Sequence, residues 1–404
     1  MNDSFIIKNA PWLASGAILT LLSSFGQTFF ISIFAAEIQA DFSLSHGSWG
    51  GIYALGTTTS AVVMVWAGGL TDRFRVRTLG PAVLLLLAFA CLLMALNPYA
   101  WFLPVVIFAL RLSGQGMTTH IAVVAMARWF VAARGRALSI AALGYSVGQA
   151  LLPIVFVMFL GVMDWRILWI IAALISLAGV PFLIRLLRQE RTPQSMANEN
   201  PSFGMNARFW TRLDAIRHPL FWCMVPSILG PSAFNTAFFF HQVHFAELKD
   251  ISHVTLVAQF PLYTAVSVAA MLLSGWGLDR FRTSRLIPFF QVPMIAGFIV
   301  FGMAEGIYIV MVGFVLLGLT SGATATLPSA FWAEFYGTKY IGSVKALAAA
   351  VMVLGSAIGP GITGLLIDYN IGLEFQFYWI SAYFAFASVV LWFGVRRYAP
   401  SLRT

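Results

Sequence analysis

Long apolar runs follow one another along this 404-residue chain, and no other feature limits its possible folds so strongly. A run of about 20 apolar residues is long enough to cross the hydrocarbon core of a bilayer as a helix. Only 10% of the residues are charged and 60% are hydrophobic, whereas a soluble domain carries about 25% charged residues. We therefore predict an all-α integral membrane protein.

The apolar runs are separated by short polar loops. The first run is too long for the apolar core of a signal peptide, so we count it as a span. The twelve predicted spans cover residues 11–36, 49–70, 79–97, 101–129, 137–161, 165–187, 220–246, 255–277, 286–303, 306–335, 342–367 and 375–395.

Arginine and lysine residues are concentrated in alternate loops, and the intervening loops are mostly acidic. Basic residues favour cytoplasmic loops. We therefore predict that both termini are cytoplasmic and that the membrane is a cell membrane, which we expect to be the inner membrane of a bacterium. The same distribution explains the net charge of +9 without nucleic-acid binding. Cys91 and Cys223 fall in separate apolar runs, which does not indicate a disulfide framework.

The chain repeats itself with an interval of 207 residues. The sequence Asp-Arg-Phe-Arg begins at Asp72 and again at Asp279, and the same interval relates Gly148 to Gly355. Parallel repeats of six spans each are typical of secondary transporters. We predict a first half over residues 1–187, a cytoplasmic linker over 188–219 and a second half over 220–404.

The linker is rich in Asn, Ser, Pro and Arg, which is typical of a flexible segment. Its last part differs, because four apolar side chains fall on one helical face. These are Phe209, Trp210, Leu213 and Ile216. We expect an amphipathic helix here, lying on the inner leaflet; a plain cytoplasmic turn is the alternative.

The repeated loop resembles the signature of the major facilitator superfamily between spans two and three. The residues that match are Gly68, Leu70, Asp72 and Arg73 in the first copy and Gly275, Asp279 and Arg280 in the second. The resemblance covers the whole chain and implies twelve transmembrane helices in two six-helix halves around a central cavity. It also implies that Asp72, Arg73, Asp279 and Arg280 form gates, in which each carboxylate lies near the start of a helix and is stabilised by its dipole.

Within that superfamily the chain looks most like the monocarboxylate porters and oxalate–formate antiporters. The short sequences that match are Trp129-Phe130, Arg134-Gly135-Arg136-Ala137 and Phe240-His241. Members of that group with lactate-type substrates carry an arginine in span eight, and this sequence has none between Val254 and Leu278.

Arg111 lies inside the fourth predicted span. A cation near the bilayer centre costs at least about 2.5 kcal/mol, so we expect it to face a cavity or a partner. No Asp or Glu lies deep in any predicted span, which favours an organic anion as the ligand of Arg111. A purely structural role, in which Arg111 holds spans together through backbone carbonyls, is the alternative. The further predicted substrate contacts are Gln115, on the same helical face, and Gln27, Asn235, His241 and Tyr145.

Small residues and prolines mark spans five and eleven. Gly148 and Pro153 lie in the fifth span, and Gly355, Gly359 and Pro360 lie in the eleventh. Small residues let helices approach closely and proline kinks them. We predict packing and hinge sites at the interface between the halves.

These observations predict a monomeric secondary transporter that carries a small organic anion, such as a monocarboxylate, with a coupling proton. The alternatives are a proton-coupled efflux antiporter for drugs or other hydrophobic compounds, and a membrane sensor that no longer transports. An enzyme is not expected, and neither a cofactor nor a metal is predicted, because the sequence has no His-Glu-x-x-His, no Cys pair and no Walker A loop.

Overall fold

The structure is a computed structural model that describes residues 3–130, 134–189, 203–337 and 339–402. For seven residues only the backbone is described: Asp3, Ser4, Asp72, Arg134, Gly135, Asp279 and Gly342. All the regular elements in these ranges are helical, and twelve helices are long and apolar enough to cross a membrane. The predicted all-α class and the twelve spans are confirmed.

The first six spans are α1 to α6. Their bounds are α1 Asp3–Leu22, α2 His46–Ala67, α3 Val76–Leu96, α4 Leu103–Leu110 with Arg111–Thr118 and Thr119–Trp129, α5 Arg134–Leu160, and α6 Trp165–Leu186. Shorter helices also occur, at Ser23–Gly26, Thr28–Ile31, Ser32–Phe34, Ala35–Phe42, Leu70–Arg73 and Ala100–Phe102.

The other six spans are α7 to α12. Their bounds are α7 Pro219–Gly230 with Pro231–Asn235 and Thr236–Phe240, α8 Phe260–Phe281, α9 Val292–Met303, α10 Ile307–Tyr336, α11 Ile341–Asp368 and α12 Leu373–Tyr398. The shorter helices are Met205–Ala207, Arg212–Arg217, Gln242–Leu248, His253–Val257, Thr283–Leu286, Ile287–Phe289 and Ala399–Leu402.

The chain forms two compact units. The first unit contains Met1–Glu199 and Phe239–Val243, and the second contains Asn200–Phe238 and His244–Thr404. In the first unit α1 packs on α5, α2 on α4 and α3 on α6. In the second unit the corresponding helices pair in the same way, α7 with α11, α8 with α10 and α9 with α12. The repeat found in the sequence is thus a repeat of helix packing.

Helix boundaries follow the same interval of 207 residues. The candidate span Val76–Leu96 corresponds to Thr283–Met303, and Ala100–Trp129 corresponds to Ile307–Tyr336. Aromatic side chains fill the core of each unit. Phe30 contacts Phe156 and Trp169 in the first, and Phe238 stacks on Phe301 in the second.

The linker residues 203–219 pack into the second unit. The helix here covers only Arg212–Arg217, so Phe209 and Trp210 precede it. Trp210 is 6% exposed and contacts Tyr336 and His218. Trp210 therefore lies in the core of the second unit. It does not lie on an amphipathic helix at the membrane surface, as the sequence predicts. Leu213 is exposed.

Candidate functional site

The first membrane-spanning segment becomes irregular where α1 ends. After α1 the chain tightens into the 3-10 turn Ser23–Gly26, and Gln27 then adopts an extended conformation, with φ −88° and ψ 152°. Extended backbone inside a membrane leaves carbonyl groups without helical partners, and these groups need other donors. The carbonyl of Gly26 is one such group, and it finds its donor on α4.

Two glycines let α1 and α4 meet at this interruption. A Cβ built on Gly26 would lie 2.2 Å from the carbonyl oxygen of Leu110 and 2.7 Å from the Cα of Gly114. A Cβ on Gly114 would lie 2.6 Å from the Cα of Gly26. A larger residue at either position would push the helices apart. This close crossing brings the Gly26 carbonyl to Arg111.

Arg111 is 1% exposed and has only neutral partners among the described residues. Its Nη1 donates to the carbonyl of Gly26 at 3.1 Å and to Oγ1 of Thr28 at 3.3 Å. The guanidinium carbon lies 5.4 Å from the ring centroid of Tyr53, within cation–π range. Nε is buried and makes no hydrogen bond. A full positive charge is therefore held inside the first unit with spare donor capacity.

Thr28 links the members of this cluster. Its hydroxyl lies 2.5 Å from the hydroxyl of Tyr53 and accepts from Arg111. The Tyr53 and Tyr145 hydroxyls are both within electrostatic range of the guanidinium. Neither Gly26, Thr28 nor Tyr53 was singled out from the sequence. The sequence does contain one signal for them, Gly26-Gln27-Thr28 inside an apolar run. These residues disfavour a continuous helix and so indicate a break within the span.

Arg111 also begins a π-helix, Arg111–Thr118. The Thr118 hydroxyl donates to the carbonyl of Ser113, five residues earlier, at 2.7 Å. Gln115, predicted to share the face of Arg111, is exposed, whereas Arg111 is buried. The wider π turn rotates the later residues away from their α-helical positions. Single π turns are frequently found at functional sites.

The other two predicted contacts on α1 and α5 lie near this cluster. Gln27 is 7% exposed and provides the extended residue itself. Tyr145 is half-buried, and its ring packs edge-on against Phe29 with centroids 5.7 Å apart. The structure thus brings together Gln27, Arg111 and Tyr145 within the first unit.

The end of α7 belongs to the first unit and adds two polar side chains. His241 is 3% exposed, and its ring lies 6.0 Å from that of His46. Gln242, which the sequence analysis did not select, is fully buried, and its Nε2 donates to Oγ of Ser32 at 2.7 Å. Its Oε1 is buried without a hydrogen bond. No sequence signal separated Gln242 from the polar residues of the neighbouring loop.

Asn235 belongs to a separate polar cluster in the second unit. Its Nδ2 donates to Oγ of Ser321 at 3.0 Å, and the Tyr263 hydroxyl lies 3.0 Å from the same oxygen. The Oδ1 of Asn235 is buried without a hydrogen bond. Asn235 ends the π turn Pro231–Asn235, so α7 departs from α-helical geometry where α1 does.

The two clusters occupy corresponding spans. Asn235 follows Thr28 by 207 residues, while Tyr263 and Ser321 follow Tyr53 and Arg111 by 210. Each cluster therefore joins an interrupted helix to the second and fourth helices of its unit. The cluster of the first unit carries a charge and that of the second is neutral. The repeat interval of 207 residues relates Asn235 to Thr28. Tyr263 and Ser321 deviate from that interval by three residues, so the repeat alone does not identify them.

The predicted gate carboxylates, Asp72 and Asp279, have side chains outside the described part of the structure. Their backbones differ. Asp72 lies in the separate short helix Leu70–Arg73, whereas Asp279 lies in the last turn of α8. Arg73 and Arg280 are exposed. Arg128 donates to the carbonyl of Thr71 at 2.8 Å and so fastens α4 to the first loop motif. Gating by these residues remains a prediction.

The predicted packing glycines make close contacts inside their own units. A Cβ on Gly148 would lie 2.1 Å from Oγ of Ser24, and one on Gly359 would lie 2.2 Å from the carbonyl oxygen of Ala233. A Cβ on Gly355 would lie 2.9 Å from the carbonyl oxygen of Leu229 in α7. Pro153 and Pro360 lie within the helices α5 and α11. A hinge role at the interface between halves remains a prediction.

Among the described residues, no group of three His, Cys, Asp or Glu side chains is placed to hold a metal ion. The polar groups that converge inside the units are a guanidinium, hydroxyls and amides. Such groups bind and orient an organic solute.

The model of the Major Facilitator Superfamily matches residues 16–307 and 262–404 of this chain. The chain belongs to the major facilitator superfamily. It is therefore a multi-pass membrane protein with the fold of that family, and membership points to a transporter rather than to an enzyme. A comparison with curated proteins found no match.

Solved structures of this superfamily share the fold. One is a bacterial homolog of the human lysosomal transporter Spinster in an inward-facing, unoccupied conformation, with a TM-score of 0.71, 15% identity, and coverage of 97% of this chain and 98% of that one. Another is a D323A mutant of the nucleoside transporter NupG, with a TM-score of 0.72, 13% identity, and coverage of 96% and 99%.

Proposed function

We propose that this chain is a secondary transporter that carries a small organic anion, such as a monocarboxylate, by alternating access. The observation that supports the anion is the environment of Arg111, a buried cation whose partners in the described residues are all neutral. Burying an unpaired charge is costly unless a counter-charge is present for part of the working cycle. An anionic substrate is that counter-charge.

The guanidinium can hold a carboxylate by its unused donors. Arg111 Nη1 is engaged by Gly26 and Thr28, but Nε is free. A carboxylate accepts two parallel hydrogen bonds from a guanidinium, and these charge-assisted bonds are roughly twice as strong as neutral ones. At 1% exposure Arg111 is shielded in the conformation described here. Alternating access provides conformations in which the site opens.

Proton coupling is the second part of the proposal, and His241 is its carrier. Histidine side chains can take up and release a proton near neutral pH, and the buried His241 ring lies 6.0 Å from that of His46. Uptake of the anion should then depend on a proton gradient in the native chain and lose that dependence in His241→Gln. We further propose a monomer in the inner membrane of a bacterium with both termini in the cytoplasm, as the positive loops favour.

A second candidate is a transporter of neutral polar solutes. The buried oxygens Oδ1 of Asn235 and Oε1 of Gln242 make no hydrogen bonds and are suited to accept from N–H or O–H groups of an uncharged solute. One of the structures that share this fold is described as a nucleoside transporter. In this case Arg111 is only a brace between α1 and α4.

The deciding experiment is thermal stabilisation of purified protein by four panels: small carboxylates, nucleosides, lipophilic cations and neutral sugars. A ligand that binds the folded state stabilises it by about 2.7 kcal/mol at a concentration 100 times its Kd. Stabilisation by carboxylates that Arg111→Gln abolishes and Asn235→Ala retains supports the anion transporter. Stabilisation by nucleosides with the reverse dependence supports the neutral-solute transporter, and stabilisation by lipophilic cations alone supports an efflux antiporter.

Transport itself is tested by uptake of the stabilising ligand into proteoliposomes. Accumulation driven by a pH gradient supports a proton-coupled transporter. Binding without any flux would instead identify a sensor.

A further inference from the structure

A large cavity with a basic lining opens at one end of the second unit. Its volume is about 1410 Å³, and it lies among the short helix Thr283–Leu286 and the ends of α8, α10 and α12. The charged residues that line it are Arg280, Arg282, Arg285, Arg396 and Glu334. We call it the basic cavity. It is remote in sequence from the Asn235 cluster, and the proposed transport site does not use it.

The charges of the basic cavity are unbalanced. Four arginines and one acidic residue, Glu334, line it. Within the described residues none of the four arginines forms an ion pair with a carboxylate; Arg396 lies over the ring of Trp392, with 5.0 Å from its guanidinium carbon to the centroid. Like charges that converge on one cavity repel one another and attract an anion.

The repeat explains only half of this cluster. Arg280 and Arg282 correspond to Arg73 and Arg75 of the first unit. Arg285 and Arg396 stand where the first unit has the neutral residues Thr78 and Gln189. The second unit therefore has arginines at two positions that are neutral in the first, while Arg77 and Arg188 of the first unit lie one residue earlier than those positions.

The backbone at Arg282 is a second, independent observation. Arg282 has φ 66° and ψ 152°, a region that favours glycine. The corresponding Arg75 has an ordinary φ of −71°. Holding a non-glycine residue in such a region costs of the order of 1–3 kcal/mol, and strain of this kind concentrates at ligand sites. The strained backbone places the arginine on the cavity wall.

The remaining wall is apolar and open. Phe289 is 58% exposed and Phe281 is 41% exposed, and Leu402 completes this side. A cavity of this size exceeds the range of about 300–1,000 Å³ that is usual for small-molecule pockets. A ligand that matches both walls has a compact anionic group with several oxygens and an attached apolar or aromatic part.

We propose that the basic cavity binds a phosphate group, presented by the headgroup of an anionic phospholipid or by a soluble phosphate compound. Arginine forks match the geometry of phosphate oxygens, and several arginines together neutralise the negative charge of a phosphate group. Basic pockets at the ends of transmembrane helices bind anionic headgroups by this chemistry. The apolar wall of Phe281 and Phe289 then receives the glycerol and acyl part of the lipid.

The test measures binding to the purified full-length protein in detergent by native mass spectrometry and by thermal stabilisation. The probes are short-chain phosphatidylglycerol, short-chain phosphatidylcholine and inorganic phosphate. The test variant is Arg285→Gln/Arg396→Gln. Its matched control is Arg212→Gln/Arg397→Gln, which removes two exposed positive charges of the same unit outside the cavity.

We expect phosphatidylglycerol to bind the native chain and the control, and to bind the test variant about 30-fold more weakly, since each surface cation contributes about a fivefold gain in affinity. Stabilisation by inorganic phosphate with the same dependence on Arg285 and Arg396 upholds the site and identifies a soluble phosphate source. Arg285→Lys/Arg396→Lys, which keeps both charges, should bind at an intermediate level and shows that any loss is not due to misfolding.

Two results would overturn the proposal. One is binding of phosphatidylglycerol that is as tight in the test variant as in the native chain, which would mean that the apolar wall alone recruits lipid. The other is an equal loss of binding in the test and control variants, which would mean that only the overall charge of this end matters.

Discussion

Replacing Gly26 with alanine tests the crossing of α1 and α4 that presents a carbonyl to Arg111. The added Cβ would lie 2.2 Å from the carbonyl oxygen of Leu110, whereas ordinary contacts begin at 3.4 Å. Both opposing groups are backbone atoms, so no side chain can rotate away. The helices must separate locally by about 1 Å to restore contact distances. The Gly26–Arg111 hydrogen bond, now 3.1 Å, would then exceed hydrogen-bonding distance.

The expected loss of stability has two parts. Overpacking of a close helix contact costs about 1–3 kcal/mol. Losing a hydrogen bond to a charged group costs about 1.5–3 kcal/mol. Because one displacement causes both effects, we expect a combined loss of about 2–4 kcal/mol. The assay is reversible unfolding of the purified protein in mixed micelles, followed by fluorescence.

Gly51→Ala is the matched control. Gly51 lies in α2 of the same unit, and a Cβ there would meet nothing within 4 Å. Alanine should be neutral or stabilise this helix by up to about 1 kcal/mol. If Gly26→Ala unfolds no more easily than Gly51→Ala, then α1 and α4 do not cross as closely as described and the reasoning about Arg111 fails.

Three further predictions follow from the same structure. Asp72→Asn should slow uptake while leaving substrate affinity near normal, because a gate lies away from the binding site; an unchanged turnover number would remove Asp72 from the gate. Tyr53→Phe should remove the hydrogen bond to Thr28, at a cost of about 0.5–1.5 kcal/mol, and keep the ring over Arg111. Substrate binding should therefore change little. A loss of binding as large as that in Tyr53→Ala would show that the hydroxyl, and not the ring, supports Arg111. Burial lowers the pKa of His218 below its ordinary value of 6.5, and neutral Nδ1 accepts from the N–H of Leu220 at the start of α7. This stabilisation is present above pH 6.5 and is lost as the pH falls through the lowered pKa, so acidification should raise amide exchange near Leu220 in the native chain but not in His218→Asn.

Much of the fold was predictable because its signals are local. Runs of apolar residues define spans by length alone, and the Asp72 and Asp279 motifs define a repeat without any knowledge of packing. The predicted boundaries differ from the observed ones by a few residues for most spans. The largest differences are at α1, α7 and α9, which adjoin irregular turns or short helices that hydropathy does not reveal.

The site was only partly predictable. Arg111 stood out because a charge inside an apolar run is costly wherever it lies. Its partners did not stand out in the sequence. Gly26 and Thr28 contact Arg111 through a backbone carbonyl and a hydroxyl, and the break in the helix at Gln27 makes these groups available for hydrogen bonding. Gln115 illustrates the opposite problem, since ideal helical spacing placed it beside Arg111 and the π turn does not.

The most direct test of the central claim is equilibrium binding of a stabilising carboxylate to the native protein, to Arg111→Lys and to Arg111→Gln. If Arg111 is the cation that binds the substrate, both variants should lose binding, because lysine keeps the charge without the planar fork and glutamine keeps neither. We expect the affinity to fall by a factor on the order of 100 or more, as loss of a paired charge-assisted contact implies. If both variants bind the carboxylate as tightly as the native protein, Arg111 is a brace between α1 and α4, and the anion site lies elsewhere.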